Sequence, residues 1–372
     1  MDGISRRILR RHTATFHGNR SVEAVEDELR AHFAIQRHKF TFEGYIGPGA
    51  SGLVFRVVEK LSGNTYRRLA IKRALRVQKE DDLRNEIARL TSLRGAEHIV
   101  RMVACRDEPE PPSLLTRVRR RLLRRRLVLQ DSLAGLYGPV FMMEYMENGD
   151  VGTLYRKLRQ HNELLPNRVL WSFFLCLIRA CVALAYPLNG AEDQPNRLET
   201  IPTDGREPSM IEHADLHAGN VMIGEAGGGF PEHDLIPPLK FIDFGRTKEG
   251  TQGVSDNIGS ISRMMINLIA RQQVKTLAWV TPYEGFETKA TEILHHGNGK
   301  KYPTLDDDIR DFLARCLAYE EQDRPSLSAM LQIAEDAVRN KMATEFPGHS
   351  GETDEAIRDL LRRFIYDASP EG

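Results

Sequence analysis

Two runs of sequence decide the fold of this 372-residue chain. They read Ile-Glu-His-Ala-Asp-Leu-His-Ala-Gly-Asn-Val-Met-Ile in residues 211–223 and Leu-Lys-Phe-Ile-Asp-Phe-Gly in residues 239–245. Asp215 is a carboxylate that can accept a proton from a hydroxyl group, whereas Asn220 and Asp243 offer the oxygen ligands that Mg²⁺ prefers. Phosphoryl transfer from a nucleotide requires this combination of a proton acceptor and metal ligands.

The spacing His-x-Asp-x-x-x-x-Asn, followed by Asp-Phe-Gly, resembles the catalytic loop and the metal-binding loop of the protein kinase-like superfamily. The resemblance covers residues 40–340. It implies an α+β, two-lobed protein kinase-like fold with a small β-rich N-lobe and a larger helical C-lobe. It also implies ATP and Mg²⁺ as cofactors, with Asp215 as the catalytic base and with Asn220 and Asp243 as metal ligands.

Motifs upstream match the parts of this superfamily that hold phosphates. Residues 45–57 contain Gly-x-Gly-x-x-Gly-x-Val between two β-rich runs, and such glycines let backbone amides approach phosphates closely. Residues 69–72 form an apolar strand ending in Lys72, which would be costly to bury without an anionic partner. We expect that partner to be Glu86, on a predicted helix. Taken alone, the glycine-rich stretch could be only a tight hairpin turn, and Glu86 could be only a solvated glutamate on an amphipathic helix. The resemblance implies that the nucleotide is bound by Gly47, Gly49, Gly52, Val54, Ala70 and Lys72.

An apolar strand followed by a polar turn, residues 140–150, resembles the hinge that joins the two lobes of a kinase. The resemblance puts Met143 at the gatekeeper position and the backbone of Glu144 and Met146 against adenine. It puts Asp150 near the ribose hydroxyls.

The positions of these motifs predict the domain organisation. Residues 151–160 and 166–186 are predicted helices, and the second is apolar nearly all round, as expected of a core helix. The predicted parts are an N-terminal extension (1–38) with a helix beginning at the capping residue Ser21, an N-lobe (39–146) with an Arg-rich insert (107–138), a C-lobe (147–341) with a loop insert (189–209), and a tail (342–372) with one helix (352–366).

Charge is balanced overall but concentrated locally. Lys plus Arg and Asp plus Glu each total 52, so no global attraction to nucleic acid or membrane is expected. Residues 114–129 form a basic amphipathic block, and Arg117–Arg126 could contact an acidic partner, an anionic lipid or RNA, or serve nuclear import. The alternative is an insertion helix that is solvated on one face.

Cysteine usage and hydropathy predict the environment of the chain. The four cysteines lack Cys-x-x-Cys spacing, which favours reduced thiols in a cytoplasmic or nuclear protein. Residues 1–11 lack an apolar core, so a secretory signal is not expected. The most apolar stretch, residues 169–188, is interrupted by Arg179 and predicts a buried helix, with no transmembrane segment.

Several positions depart from the protein kinase pattern. Ala214 stands where many protein kinases have an arginine that pairs with an activation-loop phosphate. His217 stands where Ser/Thr kinases place a lysine beside the transferred phosphate, and we assign it a catalytic role; histidine there is similar to kinases of the aminoglycoside and choline type. Between Gly245 and Asp256 there is no room for an Ala-Pro-Glu motif or a peptide-docking segment.

Downstream motifs point back toward protein kinases. Asp256 resembles a residue at the start of the helix that anchors the catalytic loop, with a helix N-cap as the alternative. The Asp-Arg-Pro-Ser turn at residues 323–326 resembles the late helices of protein kinases, although the acidic partner that the family gives to Arg324 is unassigned.

These observations support one leading hypothesis and two alternatives. The leading hypothesis is an ATP- and Mg²⁺-dependent enzyme that transfers the γ-phosphate to Ser/Thr hydroxyls of a protein substrate. The first alternative is a kinase acting on a small-molecule alcohol. The second is an ATP-binding pseudokinase scaffold, against which the joint presence of Lys72, Glu86, Asp215, Asn220 and Asp243 counts.

Overall fold

The computed structural model describes residues 20–76, 79–109, 131–192, 194–274, 279–294 and 301–367. The basic block 114–129, with Arg117–Arg126, lies outside the described residues. The protein is of the α+β class, as predicted, and divides into two compact units. Unit 1 comprises Met1–Ile87 and Met102–Tyr145, and unit 2 comprises Ala88–Arg101 and Met146–Gly372. Residues 88–101, which the sequence analysis assigned to the N-lobe, therefore group with unit 2.

Unit 1 is built on a five-stranded antiparallel sheet with the order β1-β2-β3-β5-β4. Apolar residues alternate along its strands, so that Leu53, Phe55 and Val57 are buried on one face while their neighbours are partly exposed. The strands are β1 (Phe40–Pro48), β2 (Leu53–Lys60), β3 (Tyr66–Arg73), β4 (Met102–Glu108) and β5 (Gly138–Glu144).

Helix α1 (Val22–Ala34) covers this sheet. It begins where predicted, because the Ser21 hydroxyl accepts a hydrogen bond from the Ala24 amide at 3.2 Å. Val25, Leu29 and Phe33 recur every four residues and join the buried core of the sheet. The segment predicted as an extension therefore contributes to the core of unit 1.

Unit 2 is mainly helical. Helix α4 lies at its centre, packs against α5 and α7, and is buried along its whole length. Among the described residues, α4 alone is long and apolar enough to cross a membrane, but 94% of it is buried, as predicted for a core helix. The helices are α2 (Glu80–Ser92), which begins in unit 1, α3 (Val151–Gln160), α4 (Asn167–Ala185), α5 (Gly253–Ala270), α6 (Asp307–Cys316), α7 (Leu327–Asn340) and α8 (Asp354–Leu361).

Short antiparallel strand pairs complete unit 2. Strand β6 pairs with β9, β7 pairs with β8, and β10 pairs with β11. The bounds are β6 (Ile211–Glu212), β7 (Val221–Ile223), β8 (Leu239–Phe241), β9 (Lys248–Glu249), β10 (Thr281–Tyr283) and β11 (Phe286–Thr288).

The tail packs on unit 2. Helix α8 is shorter than predicted and continues as a π-helical turn over Arg362–Tyr366. Its apolar side chains Ile357, Leu360, Leu361 and Phe364 are buried. The buried carboxylate of Glu352 accepts hydrogen bonds from the Asn167 amide at 2.6 Å and the Arg168 amide at 3.1 Å. Because Pro166 offers no side-chain cap, Glu352 supplies the negative charge that the N-terminus of α4 favours.

The predicted loop insert, residues 189–209, makes hydrogen bonds to the rest of unit 2. The Arg197 amide donates to the Gly95 carbonyl at 2.9 Å, and Glu199 is buried with its carboxylate on His98. Glycine, proline and polar residues dominate the insert, so the pattern of the sequence did not reveal this buried glutamate.

Candidate functional site

Lys72 and Glu86 form a buried ion pair in unit 1. The Lys72 ammonium donates to both carboxylate oxygens of Glu86, at 2.9 and 2.8 Å, and the two side chains are only 2% and 1% exposed. Strand β3 presents Lys72 and helix α2 presents Glu86. The predicted pairing is confirmed, and a lysine held in this way keeps its positive charge despite burial.

The glycine-rich turn joins β1 to β2 above this pair. The Gly49 amide donates to the Gly52 carbonyl at 2.7 Å, and the buried Ser51 hydroxyl donates to Glu86. A Cβ at Gly52 would overlap the backbone carbonyl of Arg73, whereas a Cβ at Gly47 would meet no atom within 4 Å. Gly52 is therefore required for strand packing, and Gly47 leaves open space beside the turn.

The other residues predicted to bind nucleotide are divided between unit 1 and unit 2. In unit 1, Val54 is paired with Lys72 across β2 and β3, and Ala70 is paired with Met143 across β3 and β5. Glu144 ends β5 opposite Leu69.

In unit 2, Met146 is buried, and Asp150 is the N-cap of α3. Its two carboxylate oxygens accept from the amide and hydroxyl of Thr153 at 2.9 and 2.8 Å. Capping α3 is thus a structural role for Asp150 that the sequence analysis did not assign.

Two loops of unit 2 carry the predicted catalytic and metal-binding residues. The first, residues 213–220, connects β6 to β7, and the second, residues 242–247, connects β8 to β9. Because β7 pairs with β8 and β6 pairs with β9, the two loops are joined at both ends. The Ile242 amide also donates to the Asn220 carbonyl at 3.0 Å.

His213 holds the two loops together. Its Nε2 lies 3.0 Å from the Ile242 carbonyl, and its ring lies 4.9 Å from that of Phe244. Burial lowers the pKa of His213, although Asp243 and Asp215 favour the charged form. A neutral His213 therefore donates its Nε2–H to the Ile242 carbonyl, which is a structural role.

Asn257 holds the loop of residues 213–220, whereas the resemblance had pointed to Asp256 at the start of the same helix. The Asn257 side chain is buried, accepts from the His213 amide at 3.0 Å and donates to the Ile211 carbonyl at 2.8 Å. Asp256 is exposed and lies in the first turn of α5, whose N-cap is Gln252, so it is not the N-cap either. The residue of α5 that contacts the loop is therefore Asn257, one position after the acidic residue Asp256.

Asn220 has a fixed orientation. Its side-chain Nδ2 donates to the Asp215 carbonyl at 2.8 Å, which directs Oδ1 away from that bond. The Asp215 side chain is partly exposed and Asn220 is nearly buried. The loop therefore presents an amide oxygen and a carboxylate, which suit Mg²⁺ and a hydroxyl proton respectively.

Two residues of these loops adopt the left-handed backbone region. Asp243 has φ 63° and ψ 67°, and Ala214 has φ 60°. This region is uncommon for residues other than glycine, and aspartate tolerates it better than alanine. Such backbone strain is frequent at functional sites, where the surrounding contacts hold it in place.

Arg246 contacts the predicted base, which the sequence analysis did not foresee. Its guanidinium lies 3.4 Å from Asp215 Oδ1, and nearby Lys248 lies 3.0 Å from Glu212. Arg246 is 64% exposed, so the interaction is solvent-screened and weak. Two cationic side chains, those of Arg246 and Lys248, therefore follow Asp-Phe-Gly on the segment that runs beside the loop of residues 213–220.

His217 caps the short 3₁₀ helix Ala218–Asn220. The Gly219 amide donates to His217 Nδ1 at 3.1 Å, so the ring is an acceptor at Nδ1. His217 is exposed, and a neutral ring in this orientation carries its proton on Nε2. The residue can offer that proton to an anion, as its predicted catalytic role requires.

The segment after Asp-Phe-Gly is short. Residues 247–252 alone separate the 3₁₀ turn Phe244–Arg246 from α5, and two of them form β9. A Cβ at Gly253 would overlap the Met210 carbonyl, so α5 begins in direct contact with the backbone before β6. Arg324, whose partner was unassigned, donates to the Ser255 hydroxyl at 2.9 Å and to the Ala318 carbonyl at 2.8 Å.

A comparison with models of known protein families found no match to this chain. The functional assignment therefore depends on the motifs and on the contacts described above.

Proposed function

We propose that this chain is a protein kinase-like phosphotransferase that uses ATP and Mg²⁺ to phosphorylate Ser/Thr hydroxyls of a protein. The observation that carries the proposal is the joining of two loops in unit 2. His213 and Asn220 both bind the backbone of Ile242, and this brings the loop of Asp215 and Asn220 beside the loop that carries Asp243.

Each side chain has a defined task in this proposal. Asp215 accepts the proton of the acceptor hydroxyl, and His213 and Asn257 fix the backbone that carries it. Asn220 Oδ1 and the Asp243 carboxylate would hold Mg²⁺, which when bound neutralises charge on the phosphate oxygens. The donor set fits a hard divalent cation because it consists of oxygen atoms only.

Unit 1 supplies the groups assigned to the nucleotide. Glu86 keeps Lys72 charged and oriented, and Lys72 stabilises the negative charge of the phosphates. The backbone amides of the glycine-rich turn add uncharged donors, and Gly47 leaves room for a close approach. His217 adds an exposed N–H donor in unit 2.

The test is transfer of labelled γ-phosphate from ATP to a Ser/Thr peptide library. We expect Asp215→Asn to lower the rate about 10²- to 10⁴-fold, the usual contribution of a general base. Asp256→Asn, an exposed aspartate of the same unit, is the matched control and should keep the wild-type rate. Equal rates for wild type and Asp215→Asn would reject the assigned base.

A small-molecule alcohol is the second candidate acceptor. The observation that favours it is the brevity of residues 247–252, of which β9 is already paired with β6. An assay of amino alcohols and sugars with the same preparation separates the two candidates. If ATP stabilises the protein but no peptide, alcohol or water accepts phosphate, the pseudokinase hypothesis replaces both.

A further inference from the structure

Among the described residues, three side chains that can bind metals converge in the interior of unit 2. His98, Cys176 and His233 are each at most 1% exposed, and their ligand atoms all lie within 4.8 Å of one another. They come from three separate parts of the chain: the segment before Ile99, helix α4, and the 3₁₀ turn Pro231–His233. None belongs to the loops that carry Asp215 or Asp243.

The two imidazoles face each other through the same kind of atom. His98 Nε2 and His233 Nε2 lie 3.1 Å apart. Tetrahedral Zn²⁺ binds imidazole nitrogen at about 2.0–2.1 Å, which separates two such nitrogens by about 3.3 Å. The spacing of the pair is therefore close to that of two ligands of one ion, and Cys176 supplies the third donor.

Glu199 orients His98 from the other side of its ring. The carboxylate Oε2 lies 2.6 Å from His98 Nδ1, while Oε1 accepts from the His98 backbone amide at 2.8 Å. A histidine that donates Nδ1–H to a carboxylate has its Nε2 lone pair directed at the cluster. Metal-bound histidines commonly have such a carboxylate partner.

We propose that His98, Cys176 and His233 form a buried structural site for Zn²⁺ or a similar borderline-soft divalent cation. Cys176 binds as the thiolate and both histidines bind as neutral rings. The Cys176 thiolate and the Glu199 carboxylate each supply one negative charge to offset the two positive charges of the ion. Each ligand atom binds the ion through its lone pair, so a proton on that atom is released to solvent when the ion binds.

Glu232 lies beside the cluster. Its Oε1 lies 3.5 Å from His233 Nε2, and Arg179 holds the same carboxylate through Nε and Nη2 at 2.8 Å. Helix α4 carries both Cys176 and Arg179. Because all three ligand side chains are buried in the core of unit 2, an ion held by them would contribute to the stability of the fold.

Without metal, the same residues form a hydrogen-bonded network. Burial lowers the pKa of His98, but Glu199 and Cys176 outweigh it and raise this pKa to about 10. Burial and the neighbouring His98 lower the pKa of His233 to about 3. The metal-free form therefore has a charged His98 that donates to a neutral His233, and this network is the competing explanation that the experiment must exclude.

Metal content of the full chain, purified without a metal-affinity tag, provides the first test. We expect about one Zn²⁺ per chain after dialysis and a rise in melting temperature when Zn²⁺ is returned to chelator-treated protein. Cys181→Ser, which alters another buried thiol of α4, should keep the metal, and Cys176→Ser should lose it. Asp243→Ala should also keep it, which separates this site from the proposed magnesium ligands.

Cobalt substitution provides a second test that does not require Cys176 to be removed. The triple variant Cys105→Ser, Cys181→Ser and Cys316→Ser retains Cys176 as its only cysteine. Co²⁺ added to this metal-free variant should produce a thiolate-to-cobalt charge-transfer band. The proposal would be overturned if that band is absent and if the wild-type chain contains no more zinc than Cys176→Ser. The metal-free network would then explain the cluster.

Discussion

At the residue scale, the loop of residues 213–220 depends on one side chain outside it. Asn257 satisfies the His213 amide and the Ile211 carbonyl, both in the interior of unit 2. A buried polar group that loses its partner costs about 1–3 kcal/mol. The position of Asp215 therefore depends on an amide on α5.

Asn257→Ala should lower the free energy of unfolding by about 2–4 kcal/mol, because two buried backbone groups lose their partner. It should also lower phosphate transfer, since the loop that carries Asp215 is no longer anchored. Chemical denaturation and the transfer assay measure the two effects. Asp256→Ala, one residue earlier and exposed, should change neither; a larger loss from Asp256→Ala than from Asn257→Ala would contradict this account of the anchor.

Ala214 stores backbone strain within the same loop. A left-handed conformation costs a residue with a Cβ about 1–2 kcal/mol, and glycine adds about 0.5–1 kcal/mol of conformational entropy to the cost of folding. Ala214→Gly should therefore raise the free energy of unfolding by about 0.5–1 kcal/mol in urea denaturation. Ala218→Gly, four residues later in the 3₁₀ helix, should instead be destabilising, and the same sign for both variants would refute the strain argument.

Residue-scale prediction from sequence succeeded where a motif fixes both partners. Lys72 and Glu86 were paired correctly because a buried lysine needs an anion and the superfamily spacing supplies one. Asn257 and Glu199 were missed because asparagine on a helix and glutamate in a polar insert carry no local signal of burial. Their partners are distant in sequence and become neighbours only in the folded unit.

At the element scale, the glycine-rich turn combines two requirements. Gly52 lies against the Arg73 carbonyl, so its missing side chain allows β2 to approach the end of β3. Gly47 borders open space, and its missing side chain matters for what can approach the turn. The sequence motif assigned both glycines to nucleotide binding, although their packing environments differ.

Gly52→Ala should therefore destabilise unit 1 by about 1–3 kcal/mol, as expected for an added methyl group without space. Thermal and chemical denaturation measure this loss. Gly47→Ala is the matched variant and should leave the free energy of unfolding unchanged while weakening ATP binding. If both variants unfold alike, the distinction between a packing glycine and an access glycine fails.

Helices with a clear hydrophobic pattern were predicted correctly, but the surfaces that they pack against were not. Helices α1 and α4 follow from a capping serine and from a long apolar run. The inclusion of α1 in the sheet core could not be predicted, because its apolar face could equally have met another surface. The cap that Glu352 gives to α4 was hidden for the same reason, since the two residues are far apart in the chain.

At the scale of the whole molecule, the proposed activity requires groups from both units. Unit 1 contributes the Lys72–Glu86 pair, and unit 2 contributes Asp215, Asn220 and Asp243. Each set is held by contacts within its own unit. The α+β class followed from the resemblance of the motifs to protein kinases, whereas the grouping of residues 88–101 with unit 2 depends on tertiary pairing such as that of Ile99 with Phe241.

Titration of ATP into the full chain, with and without Mg²⁺, tests the central claim most directly. We expect the wild type to bind ATP more tightly with Mg²⁺ than without it. Lys72→Met and Asp243→Ala should each weaken ATP binding at least about tenfold, or about 1.4 kcal/mol. Lys79→Met, an exposed lysine of unit 1, should bind like the wild type. Wild-type affinity in both Lys72→Met and Asp243→Ala, with no dependence on Mg²⁺, would contradict the account.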